Sequence, residues 1–180
     1  MNGTRCADFA QRQIGPSGGV TDDRLNWRHP MDEFRITAIH EAAHAVAAIR
    51  AGLVFKHVTA IPDEYEETDG ALHWSDLHAS GHLEVPPELM AVVLLAGPCA
   101  EARLTDREVD EVFSDEEALD DREAITELML NADAFVKAGV EALALIERDW
   151  SLIERIADEL MEVGELAYEQ VEALVARTVV

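Results

Sequence analysis

The sequence predicts a mainly α-helical fold with one small β-hairpin. Apolar residues recur at the three- and four-residue spacing of amphipathic helices over most of the chain after residue 30. In the segments "FKHVTAIP" and "ALHWS", apolar and polar residues alternate instead, which is typical of strands. The first of these segments is also rich in β-branched side chains. A chain of 180 residues is long enough for one domain with a substantial core. We therefore expect a mainly α domain whose small sheet lies next to the first helix.

The first thirty residues differ from the remainder. They are polar and contain "GPSGG", so residues 1–30 are expected to form a flexible arm and residues 31–180 the folded domain. Pro30 and Asp32 are typical of a helix start, and Gly52 is typical of a helix end. The first helix is therefore predicted between these positions, directly before the hairpin.

Further helices are predicted after the hairpin. "VPPELMAVVLLAGPCAEARL" indicates a buried helix that begins near Pro87, in which Gly97 and Pro98 mark a kink or a close contact. An acidic, weakly periodic segment follows, and the helical pattern resumes near Asp120 with a candidate break near Gly139. "LAYEQVEALV" is predicted as a last short helix. The clearest apolar stripe, in "DWSLIERIADELMEVG", contains Leu152, Ile153, Ile156, Leu160 and Val163.

The charge of the chain restricts its partners. There are 37 acidic residues against 14 basic ones, a formal net charge of -23. Such a surface repels phosphate backbones and anionic membranes, so we expect no nucleic-acid partner. The longest apolar stretch, around residues 90–100, is too short to span a bilayer, so no membrane insertion is expected.

Cysteine use and the N-terminal sequence predict a cytoplasmic location. Cys6 and Cys99 are the two cysteines, and they resemble neither a disulfide framework nor a thiolate zinc site. No apolar run follows a basic start, so a secretory signal is not expected.

The segment "ITAIHEAAHAVAAI" holds the strongest indication of chemistry. His40 and His44 lie one turn apart on one face of a helix, so both imidazoles can bind one ion. Glu41 is rotated by about 100° from His40 and lies beside that ion. Catalytic zinc takes three protein ligands and a water whose pKa it lowers to about 7, and a nearby carboxylate can take the proton of that water. The motif thus supplies two ligands and a base, Glu41.

Chance explains this motif poorly. A match to this motif is expected by chance only about 0.03 times in a chain of this composition. The alternative to a metal site is that both histidines are ordinary core residues. Arg50 occupies the position at which the metzincin class has its third histidine, which excludes that class. A third ligand must therefore come from further along the chain.

The order of the motifs resembles the peptidase domain of the FtsH family of zinc proteases. That family has the HExxH helix, then a strand that ends in Ile-Pro, as in "KHVTAIP". It then has a helix with a Leu-x-Gly-x-x-Ala-Glu pattern, which "LLAGPCAEARL" matches, and closing helices similar to those predicted after residue 149. The resemblance covers about residues 33–175 and implies a zincin-like helical domain.

The resemblance also assigns the third zinc ligand. In the family, an aspartate followed four residues later by alanine opens a helix and binds zinc, and "LDDREAITEL" matches through Asp120. The family's glycine-rich approach to this aspartate is replaced here by the acidic "DEVFSDEEALD", which leaves Asp121 and Asp115 as rivals. Glu101 is a further alternative as a ligand, although hydrogen-bonded support of the site is the preferred role.

The function that the resemblance implies is zinc-dependent hydrolysis of peptide bonds in flexible or unfolded polypeptides. His40, His44 and Asp120 would hold Zn²⁺, and Glu41 would be the general base. The sequence contains no phosphate-binding glycine–lysine loop and no preceding ATPase or transmembrane part. We therefore expect a stand-alone, ATP-independent peptidase domain that is a monomer or a small oligomer, and a separate partner ATPase stays open.

Two other functions remain alternatives. The chain could be a non-catalytic protein that keeps zinc for folding or for binding a partner, although such a site has no need of Glu41. It could also hydrolyse small amides rather than proteins. The loose cluster His73, His78 and His82 is a candidate second metal site or a set of solvated loop histidines. The edge of the Lys56–Ile61 hairpin could hold an extended peptide.

Overall fold

The computed structural model describes residues 30–62, 70–75, 85–115 and 118–177. Of the predicted arm, only Pro30 lies within this range. The helices are α1 (Pro30–Arg50), α2 (Pro87–Thr105), α3 (Val109–Val112), α4 (Leu119–Glu127), α5 (Ala132–Val163) and α6 (Tyr168–Ala176). The strands are β1 (Phe55–Thr59), β2 (Ala71–Trp74) and β3 (Glu165–Ala167). The predicted fold class, mainly α with a small sheet, is confirmed.

Helices α1, α2 and α5 pack against one another and enclose the core. The buried face of α1 is built largely from alanine, and α2 also presents small side chains to it. Small side chains let the two backbones approach closely, so a residue without a Cβ can bring α2 against the α1 histidines. The fully buried alanines of these two helices are Ala38, Ala42, Ala43, Ala45, Ala48, Ala91, Ala96 and Ala100.

Helix α1 ends in the way the sequence predicts. Gly52 adopts a left-handed φ of 73°, which glycine tolerates without steric cost. Its N–H donates to the Ile49 carbonyl at 3.0 Å, and the Leu53 N–H donates to the Ala48 carbonyl at 2.9 Å. These two bonds form a Schellman motif, which satisfies the last carbonyls of the helix and turns the chain into β1.

The sheet contains the predicted hairpin and one strand that was not predicted. β1 pairs antiparallel with β2 on one side and with β3 on the other. Residues 166 and 167 were predicted as the first residues of the last helix, but residues 165–167 form β3, and α6 begins at Tyr168. Gly164 ends α5 with a φ of 81°, and its carbonyl accepts hydrogen bonds from the Ala60 N–H and the Thr59 hydroxyl, both at 3.1 Å.

The third strand changes the prediction for peptide binding at the hairpin. Because β1 is paired on both sides, it offers no edge to an added strand. Within the described sheet, the edges belong to β2 and β3. Any extended peptide that pairs with this sheet would therefore lie along β2 or β3, not along residues 56–61.

Helix α5 is longer and more regular than the sequence suggests. It continues through Gly139 without a break, because this glycine faces open space and nothing disturbs the helix there. Four of the five predicted stripe residues are buried, whereas the side chain of Val163, at the end of the helix, is 54% exposed. Among the described helices, none is long and apolar enough to cross a membrane.

Candidate metal centre

The histidine motif lies in the middle of α1, on the face that packs against α2. His44 and Glu41 are buried, at 5% and 7% exposure, and His40 is nearly so. The two imidazole rings lie edge to face with their centroids 4.7 Å apart, as the four-residue spacing requires. The predicted histidines therefore meet in the interior and not on a solvent-facing surface.

Acceptors from α2 fix the orientation of both rings. The Nδ1 of His44 donates to the Val93 carbonyl at 2.7 Å. The Nδ1 of His40 lies 3.5 Å from Oε2 of Glu101. A histidine whose Nδ1–H is held by an acceptor keeps the lone pair of Nε2 for a metal ion. Both Nε2 atoms are thus the ones available as ligands.

A carboxylate from α4 completes a group of three ligand atoms. Oδ2 of Asp121 lies 3.1 Å from Nε2 of His40 and 3.3 Å from Nε2 of His44. The three ligand atoms all lie within 4.8 Å of one another. Ligand atoms bound tetrahedrally to zinc are separated by about 3.3 Å, given zinc–ligand bonds of about 2.0–2.1 Å. The group His40, His44 and Asp121 could therefore hold a metal ion.

The aspartate that lies against the two histidines is Asp121, and not Asp120, the predicted third ligand. Asp120 is exposed, whereas Asp121, named as its rival, faces the histidines. Adjacent helical residues differ in direction by about 100°, so only one of the two can point inward. Asp121 lies four residues before the buried Ile125 and therefore shares its inward face.

Gly97 provides the space for an ion. A Cβ at this position would collide with Nε2 of both His40 and His44, and would lie 2.6 Å from Cδ2 of His40. The predicted close contact at Gly97 is therefore with the two ligand nitrogens. A glycine that leaves room at the point where two Nε2 atoms and a carboxylate converge fits a bound ion, and the nitrogen and oxygen donors suit zinc.

Glu41 lies beside this group and against the start of β2. A Cβ on Gly70 would come within 2.9 Å of Cγ of Glu41, so the chain before β2 presses on this side chain. Among the described residues, Glu41 has no hydrogen-bond or ion-pair partner. A buried carboxylate without a partner is costly, and such groups are common at functional sites.

The ionisable groups of the centre shift one another's pKa values. Burial by itself lowers the pKa of His40, but hydrogen bonds to Asp121 and Glu101 outweigh it and raise that pKa to about 10. Burial also opposes the charge on His44, yet the charge of Asp121 raises its pKa. Burial raises the pKa of Glu41, and the two histidines oppose this. Burial by itself raises the pKa of Asp121, but the charges and hydrogen bonds of His44 and His40 outweigh it and hold that pKa well below the usual range.

The remaining rivals, Glu101 and Asp115, occupy other positions. Glu101 contacts the far nitrogen of His40, which fits the predicted supporting role rather than that of a ligand. Asp115 is 2.7 Å from the guanidinium of Arg107, which also lies 3.9 Å from Glu101. Sequence reasoning missed Arg107, which links the two acids at the end of α2.

The predicted second histidine cluster is described only in part. His78 and His82 lie outside the described residues. His73 lies across the hairpin from His57, and their ring centroids are 4.3 Å apart. His57 also lies 3.6 Å from Glu165 of β3.

Neither the family models nor the curated proteins compared with this chain give a match. The resemblance to the FtsH-family peptidase domain therefore depends on the quoted motifs alone.

Substitution of Gly97 by alanine is expected to weaken zinc binding at least tenfold, because the added Cβ displaces both ligand nitrogens. The affinity is measured by competition with a zinc chelator. Gly139→Ala is the matched control, since nothing lies within 4 Å of its Cβ position and the helix gains about 0.5–1 kcal/mol. Equal zinc affinity in both variants would contradict the position assigned to the ion.

The two neighbouring aspartates provide a second matched pair. Asp121→Asn is expected to reduce zinc affinity by about two orders of magnitude, because it removes a charged ligand, whereas Asp120→Asn should leave the affinity unchanged. The opposite order would restore Asp120 as the third ligand. Circular dichroism of both variants checks that the fold is retained.

The pKa values predict that zinc displaces protons. Without metal, His40 has a pKa of about 10 and holds a proton at pH 7, whereas metal ligands must be neutral; the pKa of His44 is shifted in the same direction. Titration calorimetry at pH 7 in two buffers of different ionisation enthalpy should detect release of at least about one proton per zinc, from His40. The lowered pKa of Asp121 means that this group adds none. Release of no protons would show that both histidines are neutral before zinc binds.

The same shifts set the stability of the metal-free chain. The raised pKa of His40 stabilises the folded state, fully at pH values below 6.5, its pKa in the unfolded chain. This stabilisation is lost as the pH rises towards about 10. The lowered pKa of Asp121 stabilises the folded state at pH values above 3.8, its pKa in the unfolded chain, and this stabilisation is lost as the pH falls below that value.

Proposed function

We propose that this protein is a zinc-dependent peptidase whose centre is formed by α1, α2 and α4. The observation that carries the proposal is the arrangement of three ligand atoms, from His40, His44 and Asp121, beside the buried carboxylate of Glu41. A purely structural ion needs its ligands but has no use for an additional buried carboxylate without a partner.

Each residue has a distinct role in the proposed reaction. His40, His44 and Asp121 hold the ion, and Glu101 and the Val93 carbonyl keep the two imidazoles oriented. Bound zinc would supply a Lewis acid that activates a water molecule and polarises the scissile carbonyl. Glu41 takes the proton of the attacking water and passes it to the nitrogen of the leaving amine.

The surroundings of Glu41 suit a general base. Burial raises its pKa from the ordinary value of 4.5, and a base is more effective when its pKa lies nearer the working pH. In the metal-free chain the two imidazoles oppose this rise, and among the described residues no arginine or lysine forms an ion pair with Glu41. Bound zinc would supply the positive charge that keeps the carboxylate ionised.

The position of β2 supports a polypeptide substrate. β2 lies at an edge of the described sheet, and Gly70, directly before it, packs against Glu41. An extended peptide that paired with β2 would pass close to Glu41. Pairing of this kind requires a flexible or unfolded segment, so we propose that the enzyme acts on such chains without ATP.

The decisive experiment compares the wild type with Glu41→Gln at matched zinc content. The wild type is expected to cleave an unfolded test protein such as reduced casein, and Glu41→Gln should lower kcat at least a hundredfold because the base is lost. Zinc content is determined by elemental analysis. Asp120→Asn, which changes an exposed carboxylate outside the centre, is the control that should keep full activity.

The result also separates the alternatives. If both proteins hold one zinc per chain and neither cleaves, the zinc site serves folding or partner binding. If short amides are cleaved but unfolded proteins are not, the chain is a small-amide hydrolase. Cleavage that is equal in the wild type and Glu41→Gln would exclude Glu41 as the base.

A further inference from the structure

A cavity of about 300 Å³ lies on the face of α4 next to the one that carries Asp121. Arg122 and Thr126 line it from successive turns of this helix, and Met129 lines it from just past the end of the helix. Its size is at the lower limit of the cavities that bind small molecules. None of its lining residues contributes to the metal centre, so the cavity is a separate feature of the fold. The other lining residues are Phe113, Ile125, Leu130 and Phe135.

The walls of the cavity are apolar. The rings of Phe113 and Phe135 face it with centroids 6.4 Å apart, and the aliphatic side chains of Ile125 and Leu130 complete the lining. Met129 at the rim is 89% exposed, although it is a large apolar side chain. Burial of this surface by a ligand would therefore contribute favourable free energy.

Arg122 is the one charged residue in this lining, and its position is fixed. Its Nη1 donates to the carbonyls of Phe113 at 2.8 Å and Asp115 at 3.2 Å. Backbone carbonyls hold the guanidinium in place but do not neutralise its charge. The remaining N–H groups of its planar fork can still bind an acceptor.

No carboxylate among the described residues forms an ion pair with Arg122. Asp121 faces the histidines, and Asp115, whose carbonyl accepts from Arg122, pairs through its carboxylate with Arg107. Asp120 and Glu123, which flank Arg122 in α4, are exposed and form no ion pair with it. Ion pairs with carboxylates are seen at Arg35, Arg50, Arg103, Arg107 and Arg148.

We propose that this cavity binds a ligand with a compact apolar body and a single carboxylate. The apolar body would fill the space between the two phenylalanines, and the carboxylate would bind the guanidinium of Arg122. Charge-assisted bonds between arginine and carboxylate are among the strongest that proteins form. The net charge of -23 repels anions at long range, but at physiological salt this repulsion is screened beyond about 8 Å.

The probe is octanoate, with octan-1-ol as a control of similar size that carries no charge. Binding to the full chain is followed by amide resonances of ¹⁵N-labelled protein at physiological salt. Octanoate is expected to shift the resonances of residues 122–130 and to bind about tenfold more tightly than octan-1-ol, because only the acid bonds to Arg122. Absence of octanoate binding at these residues would overturn the proposal.

Two variants test the assignment. Arg122→Gln should remove the difference between the acid and the alcohol, and an unchanged difference would overturn the role of Arg122. Thr126→Phe fills the cavity but keeps Arg122, so it should abolish binding of both probes. Val136→Phe, on an exposed position outside the cavity, is its matched control. Octanoate binding that persists in Thr126→Phe would be located elsewhere, for example at the metal centre, and would contradict the proposal.

Free acids and the carboxyl termini of peptides share this chemistry, and a third comparison separates them. A short peptide ending in two leucines is titrated as the free acid and as the C-terminal amide. Tighter binding of the acid form identifies peptide termini as ligands, whereas octanoate binding without peptide binding restricts the site to small acids. Thr126→Phe should abolish either result.

Discussion

The close contact of α1 with α2 at Gly97 is the constraint on which the metal centre depends. The alanine-rich faces of both helices let the backbones approach, and Gly97 leaves room at the point where the Nε2 atoms of His40 and His44 converge. The same helix supplies the acceptors for both Nδ1 atoms, from Val93 and Glu101. One helix face therefore orients both histidines and leaves space between them in which an ion could be held.

The centre concentrates charge in the interior, which works against folding. Glu41, His44 and Glu101 are each less than 10% exposed, and burial of ionisable groups costs several kcal/mol unless partners compensate. Asp121 compensates the histidines, but Glu41 has no such partner among the described residues. An apolar residue at position 41 would pack in the same core at lower cost. The presence of a carboxylate there is most simply explained by chemistry, which is why the proposed function depends on it.

Helix α4 connects the metal centre and the proposed ligand cavity. Asp121 and Arg122 are adjacent, and the turn of the helix directs one to the histidines and the other to the cavity. Arg107 and Arg122 both hold the preceding segment, since one binds the carboxylate of Asp115 and the other its carbonyl. Two arginines of this acidic chain thus hold Asp115 in the segment before α4, the helix that carries Asp121.

The sequence by itself determined the local features of this protein. Helix α1 with its glycine end, the hairpin, and the two histidines with Glu41 all follow from spacings of a few residues, which the geometry of one element fixes. It did not determine β3, whose three residues are too few to show a period, or the continuity of α5 through Gly139. The choice between Asp120 and Asp121 also required the tertiary structure. The two aspartates are adjacent and chemically identical, so only the rotation of α4 against α1, set by the burial of Ile125, decides which of them reaches the histidines.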